Sequence, residues 1–237
     1  MGGIILSWLE ERPVVIERCR GLDGELQLQK RGPQYEIIYN GVFLMATYNG
    51  ASEKAAVREA LNMAAARNQG PLNVLLGGLG IGYSLQEALA CKEVEQVVVA
   101  EIEPAVIRWN RTVFAGINGN ALADPRVVLV EADFRTLLEK ETVHNGLSIA
   151  GSYHMAMIDT DNGSSWLSRP SNAFFYSDQG LNLLVEILQP KGVVSFWCSS
   201  READFEAQLQ KYFTGIRFRC VPEKTGQEGC YYLARCR

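Results

Sequence analysis

Five continuous apolar runs, "NVLLGG", "QVVVAEI", "RVVLVEAD", "HMAMIDTD" and "GVVSFW", constrain this chain more than any other feature. Each has the length of a strand and lacks the polar alternation of a half-exposed one, so each reads as a strand buried on both faces. Helix-like stretches follow them at 83–91, 104–114, 134–140, 178–188 and 201–213. Buried strands alternating with helices call for an α/β fold, a doubly wound, mostly parallel Rossmann-like sheet covered on both sides. The tail, "IRFRCVPEKTGQEGCYYLARCR", reads as two more strands joined by a Gly-containing loop, closing the sheet with antiparallel C-terminal strands.

The first fifty residues are of another kind. "VVIERC", "GELQLQKRG", "YEIIYNG" and "VFLMATYNG" are short runs rich in β-branched and aromatic residues, punctuated by Gly21, Arg31-Gly32-Pro33, Asn40-Gly41 and Asn49-Gly50. Asn-Gly between two such runs is a hairpin signal. Residues 1–50 are therefore expected to form a small antiparallel β-hairpin module and residues 51–237 the main domain. That domain opens with a helix over "SEKAAVREALNMAAARNQG", started by Ser52 and Glu53 and stopped by Gly70-Pro71.

At 237 residues, 47% of them hydrophobic, the chain can bury the core of one large domain with a small appendage. A net charge of −4 supplies no basic face for nucleic acid and leans toward a cationic substrate. The six cysteines, Cys19, Cys91, Cys198, Cys220, Cys230 and Cys236, form no CxxC pair and read as free thiols of a reducing compartment. Two histidines, His144 and His154, are too few for a His-rich metal site, and no metal is expected. "MGGIILSWLEERP" meets Glu10 and Glu11 before a signal-peptide core is complete, and no apolar stretch approaches 18 residues. The expectation is a soluble cytoplasmic protein with no membrane contact.

Ligands of a parallel α/β sheet bind beyond the carboxyl ends of its strands, usually at the first βα turn. That turn is Gly77-Gly78-Leu79-Gly80-Ile81-Gly82. A G-x-G-x-x-G fingerprint starting at Gly78 fails at Tyr83, and no Gly-Lys-Ser/Thr follows to make a P-loop. What remains is G-x-G-x-G, a turn without Cβ atoms that lets backbone approach a ligand. Nineteen residues past Gly82, Glu101 ends the second strand, where a carboxylate can accept both ribose hydroxyl protons of a nucleoside or stand as a solvated strand-end acid. Asp133 ends the third strand and is placed to hydrogen-bond an adenine amino group, with Ile102 and Phe134 as apolar neighbours of the ring. A helix N-cap role suits Asp133 equally. Asp159 and Asp161 follow the fourth strand in "MIDTDNGSSW", facing the same crevice, where they can hold a cationic nucleophile or accept its proton. A plain Asp/Asn/Gly/Ser turn accounts for them as well.

In order and spacing, "VLLGGLGIG … VVVAEIEPAVIRWNR … LADPRVVLVEAD … MIDTDNG … LQPKGVVSFW" resembles the spermidine synthases, the aminopropyltransferase branch of the class I S-adenosylmethionine-dependent transferases. "GELQLQKRGPQYEIIYNGVFLMAT" looks like that family's N-terminal hairpin domain. The resemblance implies a sulfonium nucleoside cofactor, S-adenosylmethionine or its decarboxylated form, with Gly77, Gly78, Gly80 and Gly82 in the cofactor turn. It implies Glu101 on the ribose, Asp133 on the adenine, Asp159 at the reacting centre, and a homodimer.

Three departures stand out. The family's GGGDGG loop carries an acid where this chain has Gly80. Its Asp-Glu-x-x-Tyr-His motif falls near "SEKAAVREA", where Ala56 and Val57 replace the Tyr-His pair. Its second acid after the fourth strand is Asn162 here, beside Asp161. Losing the acid at Gly80 removes a partner of the decarboxylated cofactor's ammonium group and suits the carboxylate of the intact one. The reading is thus an alkyl transferase acting on a small, amine acceptor, with methyl preferred to aminopropyl transfer. Asp159 takes the acceptor's proton and Asp161 supports it. Trp166 and Tyr176 are candidates for the substrate wall, each better explained by packing. A nicotinamide-dependent oxidoreductase and a non-catalytic binding or dimerisation relative are the alternatives from other classes.

Overall fold

The computed structural model describes residues 7–68, 70–139 and 150–237. His144 and the last residue of the 134–140 helix reading lie outside them.

Four antiparallel strands in chain order, β1 (Val14–Arg20), β2 (Glu25–Arg31), β3 (Gln34–Tyr39) and β4 (Val42–Ala46), make a small N-terminal sheet. Asn40 and Gly41 turn β3 into β4 with both φ angles positive, the twist a two-residue hairpin requires. Asn49-Gly50 marks the start of a helix instead, with Gly50 at its N-cap. Leu26, Leu28 and Ile37 are buried against the main domain.

Among the described residues the main sheet has seven strands: β5 (Leu72–Gly77), β6 (Val94–Glu101), β7 (Val127–Glu131), β8 (Tyr153–Ile158), β9 (Leu188–Cys198), β10 (Phe213–Pro222) and β11 (Glu228–Cys236). Their order is β10-β11-β9-β8-β5-β6-β7, with β5 to β9 parallel and β10 and β11 antiparallel. Among the described residues six helices accompany them: α1 (Ala51–Ala65), α2 (Tyr83–Ala90), α3 (Pro104–Arg111), α4 (Phe134–Leu138), α5 (Asp178–Ile187) and α6 (Ala203–Tyr212). Val74, Leu76, Val97 and Val99 pack into one core with α1, α2 and α3; Leu75, Val98 and Ala100 pack into a second with α4, α5 and α6. That split is why the strands read as unbroken apolar runs: alternate residues of each strand belong to different cores. Helix α5 stops at Ile187, before Leu188, which pairs with Tyr153 of β8.

The cysteine reading needs correction. Cys220 and Cys230 form a disulfide, directly opposite one another across β10 and β11 with Cα atoms 4.1 Å apart. Cys19, Cys91, Cys198 and Cys236 are free thiols. The sequence showed both strands but not their register, and register alone brings these two thiols together. Among the described residues no helix is long and apolar enough to cross a membrane.

Strand β5 has β6 on one side and β8 on the other, so the chain winds away from it in both directions. This is the switch point where a crevice opens beyond the carboxyl ends of the strands.

Candidate active site

The crevice holds a cavity of about 170 Å³, floored by the ends of β5, β6 and β8 and walled by the N-terminal sheet through Leu26, Ile37, Tyr39, Leu44 and Met45. Gly78 and Gly80 line it; Gly77 and Gly82 do not. A Cβ on Gly77 would meet the Phe134 ring at 2.5 Å, and one on Gly82 would meet Asn118 and Asn110, so these two glycines serve close packing. Gly78 has φ +101, and a Cβ there would lie 2.3 Å from the Asp159 carbonyl oxygen. The loops after β5 and β8 touch at that point, tied by the Asp159 N–H donating to the Gly77 carbonyl at 2.9 Å. Gly80, at φ +52, is backed by the Met45 thioether, which occupies the space an acid side chain would take.

Glu101 ends β6 inside the cavity. Its two oxygens accept the backbone N–H of Leu79, at 3.0 Å, and of Glu103, at 2.8 Å, so this acid also shapes the glycine turn. Burial pushes its pKa up against the pull of those bonds. Ile102 lines the cavity beside it. Asp133 caps α4 through one oxygen, which accepts the Arg135 N–H at 2.8 Å, while the residue still lines the cavity. Both roles read from the sequence are thus geometrically compatible. Phe134 lies between Gly77 and Phe175, its ring centre 5.4 Å from the latter.

Asp159 faces the cavity, half-buried, and among the described residues its one side-chain hydrogen bond is a long one from the Ser84 hydroxyl, 3.5 Å. Burial first, and then the Glu53 carboxylate, push it well above the usual carboxylate range. Asp161 differs. One oxygen accepts the Ser168 N–H at 2.7 Å, the Ser168 hydroxyl at 2.9 Å and the Asn172 amide at 3.0 Å, and the other accepts the Thr160 hydroxyl at 2.9 Å. It lines the cavity, yet its lone pairs are occupied in pinning the loop after β8. Trp166 is exposed on that loop and Tyr176 packs on Phe196 and Phe205; neither lines the cavity.

Glu53 is the functional candidate that sequence reading passed over as a helix opener. It is 7% exposed at the start of α1 and lines the cavity. The Ser52 hydroxyl lies 2.7 Å from Glu53 Oε2 and 2.8 Å from Glu223 Oε1 and receives the Trp197 indole N–H at 2.9 Å. One hydroxyl has one proton for two carboxyl groups. Glu223 already accepts the backbone N–H groups of Gly50, Ala51 and Ser52, and burial raises the Glu53 pKa. The two carboxyl groups therefore compete for the one Ser52 hydroxyl proton. The signal available in the sequence was an acid at the start of an alanine-rich helix otherwise fit for burial. Ala56 and Val57 are wholly buried in the core and cannot stand in for a Tyr-His pair.

No protein-family model matches the chain. Curated relatives do. A polyamine aminopropyltransferase 1 of Streptomyces coelicolor is 33% identical over 124 residues, 52% of this chain and 21% of that protein. A polyamine aminopropyltransferase of Mycobacterium tuberculosis is 36% identical over 76 residues, 32% of this chain and 14% of that one. The chain thus spans about a fifth or less of the length of these relatives. Among solved structures, spermidine synthase from Thermotoga maritima superimposes with a TM-score of 0.73 at 16% identity, covering 93% of this chain and 72% of that one. A spermidine synthase in complex with the transition state analogue AdoDATO gives 0.72 at 15% identity, covering 93% and 73%. The chain thus resembles polyamine aminopropyltransferases in sequence over half its length and shares the fold of solved spermidine synthases over nearly all of it.

Proposed function

We propose that this protein transfers an aminopropyl group from decarboxylated S-adenosylmethionine to an amine. The preference for methyl transfer is given up: it rested on the missing acid at Gly80, and the relatives matched in sequence are aminopropyltransferases. The observation that carries the reading is the set of carboxyl groups around one cavity, Glu53, Glu101 and Asp159, beside a glycine turn at the switch point of the sheet. Such a lining favours a cationic ligand at each step. Glu53 supplies, from α1, the acidic group that Gly80 lacks.

The residues present fit the nucleoside. Gly78 and Gly80 leave room for close backbone approach, Glu101 is turned to the cavity for the ribose, and Asp133 keeps one oxygen clear of its capping bond for the adenine amino group. Ile102 and Phe134 offer apolar faces to the ring. The cofactor, when bound, supplies a carbon activated by its sulfonium sulfur. The protein's part is alignment of the amine along the line of attack and removal of its proton. Asp159 is the base: its raised pKa means that it holds a proton more readily than an ordinary carboxylate, and its hydrogen-bonding capacity is largely free. Asp161 acts through the loop that it pins.

Calorimetric titration with decarboxylated and intact S-adenosylmethionine, followed by product analysis with diamines, tests this reading. Tighter binding of the decarboxylated form and a new C–N bond in the product are expected. Tighter binding of the intact form would overturn aminopropyl transfer, and failure of both to bind would assign the glycine turn to another ligand.

A further inference from the structure

The acidic lining described above occupies one part of the cavity. At another, two residues present polar atoms that are closed to solvent and have no partner among the described residues: the Tyr39 hydroxyl, and Nε and Nη1 of Arg169. Buried donors without acceptors cost free energy, and natively folded proteins leave few of them. Among the described residues Arg169 is tied only through Nη2, to Asp23 in the half-exposed β1–β2 turn, at 2.5 Å. Its backbone is fixed, because Ser168 on one side and Asn172 on the other are both bonded to Asp161, and the Asn172 N–H donates to the Arg169 carbonyl at 3.0 Å. Tyr39 comes from the other layer, at the end of β3 opposite Leu26. The neighbouring acid, Glu103, lines the same cavity and accepts the Leu22 N–H, which lies 3.2 Å and 3.3 Å from its two oxygens.

From this geometry we infer that Tyr39 and Arg169 form a subsite for a carboxylate or similar oxyanion, so that the cavity receives a ligand carrying an acid group as well as an amine. A guanidinium and a phenol are suited to such a group, since both donate and the first carries charge. Within the aminopropyl-transfer reading, on which the identity of the amine rests, the acceptor is an amino acid and not a plain diamine. The same oxyanion could instead belong to the cofactor, as the carboxylate of intact S-adenosylmethionine, and the experiment separates the two sources.

Two ligand pairs differ by one carboxylate: ornithine against putrescine, and intact against decarboxylated S-adenosylmethionine. Each is titrated calorimetrically into the wild-type protein, Arg169→Lys, Arg169→Met and Tyr39→Phe, the acceptors both with and without saturating methylthioadenosine. The subsite requires that the carboxylate-bearing member of one pair bind at least tenfold more tightly to wild type. Which pair shows the gain names the source. Arg169→Met must abolish that gain, Arg169→Lys must restore part of it, and Tyr39→Phe must reduce it without lowering the melting temperature, because it removes only an unpaired hydroxyl. No gain in either pair, or a gain that survives in Arg169→Met and Tyr39→Phe, overturns the proposal. If methylthioadenosine and both cofactor forms fail to bind, the aminopropyl-transfer reading falls by itself, while the acceptor pair titrated alone still decides the subsite.

Discussion

Glu223 accepts the backbone N–H of Ser52 at 2.9 Å and its hydroxyl at 2.8 Å, across 171 residues of sequence. Its other oxygen accepts the N–H groups of Gly50 and Ala51. Helix α1 has Gly50 at its N-cap, with no side chain to cap it, so the β10–β11 hairpin supplies the cap from the far side of the fold. Replacing Glu223 with Ala leaves several buried donors unpaired. Chemical denaturation of Glu223→Ala is expected to show a loss of about 1–3 kcal/mol. Because Glu53 hangs from the same turn of helix, amine binding should weaken in this variant while nucleoside binding holds. Unchanged stability would show that solvent caps the helix as well as Glu223 does.

A second prediction concerns Glu101, which both shapes the glycine turn and faces the cavity. Glu101→Ala should weaken nucleoside binding by about 1–3 kcal/mol, the cost of losing a charged hydrogen-bond partner. It should also lower the melting temperature, since the Leu79 and Glu103 N–H groups lose their acceptor. Glu101→Gln keeps one accepting oxygen and should recover much of the stability but little of the affinity. Full affinity in a folded Glu101→Ala would remove this residue from the ribose site.

These residues show which features a sequence discloses. Glu101, Asp133 and Asp159 were legible because each closes an apolar strand run, and in a parallel sheet all such ends point to one rim. The sheet itself was legible for the same reason. Glu53, Tyr39 and Arg169 were not: Tyr39 and Glu53 reach the cavity through the packing of the N-terminal sheet and α1 onto the crevice, and Arg169 through the loop after β8 that Asp161 pins, contacts that no local spacing encodes. The disulfide escaped notice likewise, since pairing Cys220 with Cys230 depends on the register of one hairpin. Asp161 and Trp166 lay in a loop whose composition fits both a turn and a site, and only the hydrogen bonds of Asp161 reveal its pinning role.

Gly80 offers a third test. An acid there restores the loop pattern of the spermidine synthases, but its Cβ would meet the Met45 sulfur at 2.5 Å. Since φ is +52, a side chain also carries the strain of the left-handed region, which Asp tolerates better than most residues. Gly80→Asp alone should cost about 1 kcal/mol of stability or more. Adding Met45→Ala should recover part of it by clearing the contact. The double variant should bind decarboxylated S-adenosylmethionine more tightly relative to the intact form than wild type does. An unchanged ratio would mean that Gly80 lies beyond reach of the ammonium group and that Glu53 alone sets the preference.

The pH dependence of amine binding follows from Asp159. Its folded-state pKa is raised by burial and by Glu53, so between the ordinary carboxylate range and that raised value the native protein holds a proton that the unfolded chain has released. Stability from this group is present at low pH and declines as pH rises through that window. A bound ammonium group favours the ionised carboxylate, which lowers the pKa and expels the proton. Amine affinity should therefore rise with pH across the same window, and binding should release protons, measurable by calorimetry in buffers of different ionisation heat. Asp159→Asn should flatten both profiles, leave nucleoside affinity intact and weaken amine binding at least tenfold, about 1.4 kcal/mol. It should also lift stability at neutral pH by removing a charge from among its acidic neighbours. If Asp159→Asn instead loses nucleoside and amine affinity together and becomes less stable, the residue is part of the scaffold joining the loops after β5 and β8, and the proton must leave by another group.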